Sequence, residues 1–196
     1  MRKLAIFGGT FDPVHWGHLL IAETAWEQAE LDQVIWVPAA NPPHKPELCE
    51  SFAQRLEMVR RAIADQPAFI ASDIDQHQAG RSYAIETLVQ LQQHYPQSDW
   101  YWILGDDAFK SLPRWRQAHQ LIEQCTWLIA PRVTELAHPA STVALNSNVR
   151  QMWLKMPQIG VSSSQVRDRV AQQKSIRYLV PESVRLYIES QKLYTK

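Results

Sequence analysis

A short apolar run that stops on two glycines and passes into a helix carrying histidines on its first turn leaves few folds open. Leu4-Ala5-Ile6-Phe7 is followed by Gly8-Gly9-Thr10-Phe11-Asp12-Pro13-Val14-His15-Trp16-Gly17-His18. An uninterrupted apolar run this short reads as a strand buried on both faces, which is the habit of parallel sheets. From Trp16 to Ala29 the period changes to that of a helix, with Leu19, Ala22, Trp26 and Ala29 on one face. A strand feeding a helix through a glycine turn is the opening of a βαβ unit.

The same alternation continues along the chain. Strands are expected at Val34–Val37, Phe69–Ala71, Trp100–Leu104 and Thr126–Ala130, with a last one at Met152–Met156. Helices are expected over Phe52–Ala64, Ser82–Tyr95, Ala108–Leu112, Gln117–Gln124, Ser163–Gln172 and Glu182–Ser190. The predicted fold class is therefore α/β, a Rossmann-like doubly wound parallel sheet. One domain is expected over residues 1–196, its helical C-terminal part from about 160 to 196 packed on the sheet. Ala39–Ser51 holds three prolines and reads as a loop, and Val133–Asn148 is polar and irregular.

Charge and cysteine usage narrow the function classes. Twenty Lys+Arg balance 20 Asp+Glu, which speaks against a nucleic-acid partner, normally met by a basic surface. Cys49 and Cys125 show no metal-like spacing, so a reducing compartment fits better than a disulfide scaffold. No apolar run approaches the roughly 20 residues that span a bilayer, and Leu4–Phe7 is too short for a signal-peptide core. These readings point to the cytoplasm, with no membrane partner. Homo-oligomerisation stays open.

The chemistry concentrates at two places. Gly8 and Gly9 let backbone approach a ligand, and their amides with that of Thr10 are suited to phosphate oxygens. His15 and His18, three apart, share one face of a helix start, where free N–H groups and the macrodipole already favour anions. Gly17 is read as leaving room for a base or sugar. Near the other end, Gly160-Val161-Ser162-Ser163-Ser164-Gln165-Val166-Arg167 offers an N-cap in Ser162 or Ser163, hydroxyls, free amides and a guanidinium. Together these make a second phosphate-binding corner.

GGTFDPVHWGH resembles the signature of the (H/T)xGH nucleotidyltransferase superfamily, and Val161–Arg167 is similar to its I-S-S-T-x-I-R motif. The resemblance implies ATP as a substrate, with His18 and His15 facing its reacting phosphates. It also implies Arg167, Ser162, Ser163 and Ser164 on the β- and γ-phosphates, and Gly8, Gly9, Thr10 and Phe11 in the ATP site. Mg²⁺ is expected on the ATP phosphates rather than in a protein cage.

Internal segments narrow the resemblance to the bacterial nicotinate-nucleotide adenylyltransferases. They are Asn41-Pro42-Pro43-His44-Lys45, Ser82–Leu88, Gly105-Asp106-Asp107, Leu112-Pro113-Arg114-Trp115 and Ser175–Pro181. The implied acceptor is nicotinate mononucleotide. Lys45 would meet its phosphate, Trp115 would stack on its pyridine, and the amides of Tyr83 and Ala84 would hold its carboxylate. Gly105 and Asp107 would serve ATP, Asp107 through ribose hydroxyls. The sequence departs from the family at Ala84, where Thr is common, and at Asp106, where a small residue is typical. Three alternatives share the fold: a nicotinamide mononucleotide enzyme, a phosphopantetheine enzyme and a non-catalytic nucleotide sensor. Intact His18 and Arg167 speak against the sensor, and the Trp115 segment against phosphopantetheine.

Overall fold

The computed structural model describes residues 1–43, 48–77, 80–131 and 149–195. In chain order the strands are β1 (Arg2–Gly9), β2 (Gln33–Pro38), β3 (Phe69–Ala71), β4 (Ser98–Gly105), β5 (Cys125–Ala130) and β6 (Gln151–Trp153). The helices are α1 (Trp16–Ala29), α2 (Phe52–Ala62), α3 (Ala84–His94), α4 (Asp106–Ser111), α5 (Ala118–Gln124), α6 (Ser163–Ala171) and α7 (Glu182–Gln191). The strands form one sheet in the order β3-β2-β1-β4-β5-β6, every neighbouring pair parallel. Among the described residues no helix is long and apolar enough to cross a membrane.

Side-chain alternation explains why the strands read as continuous apolar runs. In β1, Ala5 and Phe7 enter one core with Val34, Trp36, Ile103 and Leu128. Leu4 and Ile6 enter the other, with Ile35, Trp102, Trp127 and Ile129. Both faces are covered, so both sets must be apolar. The first face is covered by α1 through Ala22, Ala25 and Ala29, by α2 through Met58 and Val59, by α6 through Val166 and by α7 through Val184 and Ile188. The second is covered by α3 through Ile85, Leu88 and Leu91, by α4 through Phe109 and by α5 through Leu121.

The strand order reverses between β1 and β4, because the chain winds outward from β1 in one direction and restarts beside it in the other. That reversal opens a crevice beyond the carboxyl ends of these two strands, the place where doubly wound sheets bind ligands. The expected elements are present, with some shifts. The last strand is only Gln151–Trp153, and the helix expected at Ala108 begins at Asp106 and ends in a 3₁₀ turn at Leu112–Arg114. A further 3₁₀ turn at Ile74–His77 carries no sequence signal of its own, since one turn is too short to show a period.

Candidate active site

β1 runs through both glycines, pairing Gly8 with Val37 and Gly9 with Pro38. The turn therefore falls at Thr10–Pro13, one step later than the glycines suggest. A Cβ on Gly9 would meet the Phe11 ring at 3.0 Å. Phe11 itself sits at φ 47°, a left-handed conformation that costs a bulky residue energy. The reward is visible in its packing. Its ring is 1% exposed and stands edge-on to Phe7 at 5.5 Å and to His18 at 5.1 Å. Phe11 thus packs its ring against the His18 ring from within the core.

His15 is the N-cap residue of α1, and its backbone N–H donates to Nδ1 of His18 at 3.2 Å. With Nδ1 an acceptor, the proton of neutral His18 lies on Nε2. The two rings stack with centroids 3.7 Å apart. His15 is 7% exposed, and burial lowers its pKa to about 4, so its ring is neutral at physiological pH. Its buried Nδ1 has no hydrogen-bond partner among the described residues. Gly17 makes room for this ring, since a Cβ there would meet Nδ1 and Cε1 of His15 at 3.0 Å, and it also lines the cavity beside the pair. Beside the pair lies a cavity of about 140 Å³ lined by Ile21, Pro131, Met156, Pro157, Ile159 and Val161.

The Ser162–Arg167 segment docks on the turn after β1. Ser163 Oγ donates to the carbonyl of Pro13 at 2.9 Å, and Arg167 Nη1 donates to the carbonyl of Asp12 at 2.7 Å. Ser162 is the N-cap of α6, accepting from the Gln165 N–H at 3.2 Å. Ser164 Oγ accepts from Arg167 Nη2 at 3.3 Å. The motif is therefore divided in role. Ser163 fastens the helix, Ser162 caps it, and exposed Ser164 and half-buried Arg167 stand over the turn.

On the other side of β1 a small apolar pocket of about 120 Å³ is lined by Ile6, Gly8, Gly9, Val37, Ala39, Asp75, Ser82, Ala84, Thr87, Trp102 and Trp115. Trp115 is held edge-on to Trp102 and Trp127, and its Nε1 donates to Ser111 Oγ at 3.0 Å. Tyr83 is the N-cap of α3 and Ala84 its first residue. The Arg116 guanidinium lies 4.6 Å from the Tyr83 ring centroid and joins α3 again through Glu86 at 3.4 Å. Sequence reasoning passed over Arg116, and also over Asp75. The Asp75 carboxylate is 2% exposed and accepts from the Ala40 N–H at 2.7 Å, the Thr87 hydroxyl at 3.2 Å and the Ser82 hydroxyl.

Gly105 is the N-cap of α4, and exposed Asp107 lies in its first turn. Asp106 has a structural role: it is 4% exposed and pairs with Lys110 Nζ at 2.7 Å. Lys45 and Val133–Asn148 lie outside the described residues.

Comparison with known proteins finds relatives over the full length of the chain. The cytidylyltransferase-like family model matches residues 6–169. A "Probable nicotinate-nucleotide adenylyltransferase" of Trichormus variabilis is 47% identical, the match covering 100% of this chain and 99% of that one. One of the same name from Gloeobacter violaceus is 42% identical over 98% and 96%. Among solved structures, Plasmodium falciparum nicotinic acid mononucleotide adenylyltransferase complexed with NaAD superimposes with a TM-score of 0.80 at 18% identity, covering 99% of this chain and 98% of that one.

Proposed function

The chain belongs to the cytidylyltransferase-like family and, within it, to the nicotinate-nucleotide adenylyltransferases, and from that premise we propose how its residues carry the reaction. The enzyme transfers the adenylyl group of ATP to nicotinate mononucleotide. The acceptor's 5′-phosphate oxygen forms a bond to the α-phosphorus, the bond to the β-phosphate bridge breaks, and pyrophosphate leaves. No protein nucleophile is required; the work is positioning and charge stabilisation.

One observation carries this assignment of roles. Ser163 and Arg167 hold the carbonyls of Pro13 and Asp12, so two phosphate motifs about 150 positions apart in sequence become one cradle. Within it His18 presents Nε2–H to the transferring phosphate, a donor fixed in tautomer by the His15 amide. Neutral His15 stacks behind it. Arg167, Ser164 and the start of α6 face the departing pyrophosphate, with Gly8, Gly9 and Thr10 bordering the phosphates. The cavity beside His15 and His18 suits the adenine, and Gly105 and Asp107 at the end of β4 suit its ribose. The pocket under Trp115 suits the pyridine, whose carboxylate would meet the N-terminus of α3 at Tyr83 and Ala84. Lys45 is assigned to the acceptor phosphate on the family's pattern.

Mg²⁺ fits as part of the ATP substrate. Among the described residues no group of three or more His, Cys, Asp or Glu is placed to hold an ion, whereas ATP phosphates bind it readily. A cytoplasmic setting fits Cys49 and Cys125, which are both free.

The test is pyrophosphate release from ATP and Mg²⁺ with nicotinate or nicotinamide mononucleotide, for wild type and His18→Ala. Wild type should prefer the nicotinate form, and His18→Ala should lower kcat about 100-fold or more. Equal rates with both acceptors would remove the acid preference, and near-normal turnover of the variant would remove His18 from its role.

A further inference from the structure

The turn between β1 and α1 is held from below by a buried polar network that ends at the C-terminus of the chain. Asp12 is 3% exposed, and each of its carboxylate oxygens has one donor. Oδ2 accepts from the Cys49 N–H at 2.8 Å, and Oδ1 accepts from the hydroxyl of Tyr194 at 2.7 Å. Tyr194 is 7% exposed, stands at φ 60°, and donates its own backbone N–H to Glu50 Oε1 at 3.1 Å. Arg55, 1% exposed, donates to the carbonyls of Thr10 at 2.7 Å and Glu50 at 3.2 Å. Arg167 stands on the Asp12 carbonyl. Arg167 and Tyr194 also wall the same hollow, of about 600 Å³, with Cys49, Gln54 and Lys192.

We propose that Tyr194 is a positioning residue for the ATP half of the site: by satisfying Asp12 it keeps Arg167 available to the phosphates. This rests on the adenylyl-transfer reading above. A carboxylate this deeply buried cannot be left short of donors. With the tyrosine hydroxyl in place, Oδ1 is satisfied, and the hydrogen bond of Arg167 to Asp12 goes to its carbonyl rather than its carboxylate. Without it, two guanidiniums stand beside Asp12: Arg55, already committed to the carbonyls of Thr10 and Glu50, and Arg167, already on the Asp12 carbonyl; an Asp12–Arg167 ion pair would draw the second off the phosphates. Burial and the neighbouring Asp12 push the tyrosine's pKa well above its ordinary value, so it remains a donor across the working pH range. The acceptor pocket, on the other side of β1, shares none of these residues.

The experiment uses Tyr194→Phe, which keeps the ring and removes the hydroxyl, with Arg167→Gln and the double variant beside it. ATP binding is measured by calorimetry without acceptor, and KM for each substrate by pyrophosphate release. Tyr194→Phe should weaken ATP binding and raise its KM about 10-fold, the effect of one charge-assisted hydrogen bond, with the KM for nicotinate mononucleotide unchanged. In the Arg167→Gln background the same substitution should have no further effect on ATP, since the two act through one another. Unchanged ATP binding in Tyr194→Phe, equal losses for both substrates, or additive effects in the double variant would each overturn the proposal. Wild type that binds ATP but leaves nicotinate mononucleotide unreacted would overturn the functional reading alone, and calorimetry would still judge Tyr194.

Discussion

At the scale of single residues the site depends on keeping His15 uncharged and His18 oriented. His15 is buried, stacked on His18, and short of a partner at Nδ1. Its proton affinity is therefore low in the folded protein and ordinary in the unfolded chain, with values of about 4 and 6.5. The unfolded state binds more protons between these values, so stability is complete above the upper one. It falls as pH drops through the window and levels off below the lower one, by on the order of 3 kcal/mol in all. In chemical denaturation from pH 7 to 4, His15→Asn, which keeps an N-cap side chain and does not titrate in this range, should lose this part of the acid slope. Parallel pH profiles for wild type and variant would show that His15 is not the group responsible.

At the scale of elements, two buried aspartates each tie a loop to a helix on opposite sides of β1. Asp12 serves the side proposed to hold the phosphates, joining Cys49 to Tyr194. Asp75 serves the other, joining Ala40 in the loop after β2 to Ser82 and Thr87 around the start of α3. It lines the pocket assigned to the pyridine, with both carboxylate oxygens accepting from protein donors. Asp75→Asn turns one accepting oxygen into a donor facing donors, so the N-terminus of α3 should shift. KM for nicotinate mononucleotide should rise about 10-fold while KM for ATP stays near wild type, the loss corresponding to one or two charged hydrogen bonds. Equal KM changes for both substrates in steady-state kinetics would show a general loosening instead. Little in the sequence announces Asp75. It sits in a single 3₁₀ turn, too short for a periodic signal, and its partners lie in segments that only folding brings together.

Across the whole molecule, the C-terminal segment belongs to the same core as the first strand. Val166, Val180, Val184 and Ile188 pack in one cluster with Ala5, Phe7 and Trp36. A chain built this way should unfold in one transition, since no part of that face keeps its core without α7. Ile188, 1% exposed, tests this. Ile188→Ala should cost about 2–5 kcal/mol and shift the urea midpoint of far-UV circular dichroism and tryptophan fluorescence together, with the slope kept. Separate midpoints for the two signals would divide the molecule into independently stable parts.

What the sequence determined by itself follows from local physics. Period and punctuation are local, so Trp16–Ala29 and Phe69–Ala71 were legible to their ends, and the parallel sheet followed from their alternation. The turn after β1 and the capped start of α6 were legible because glycines, helix-start serines and paired histidines signal through near neighbours. Tertiary structure decided what depends on distant partners. It packed the His15 ring against Gly17, gave Asp106 its Lys110, split the serines between fastening and capping, and set Tyr194 against Asp12. A hydrogen bond spanning 182 positions leaves no periodic trace in either segment. Only the close packing of the folded core brings its ends together and, by removing water, makes each bond matter.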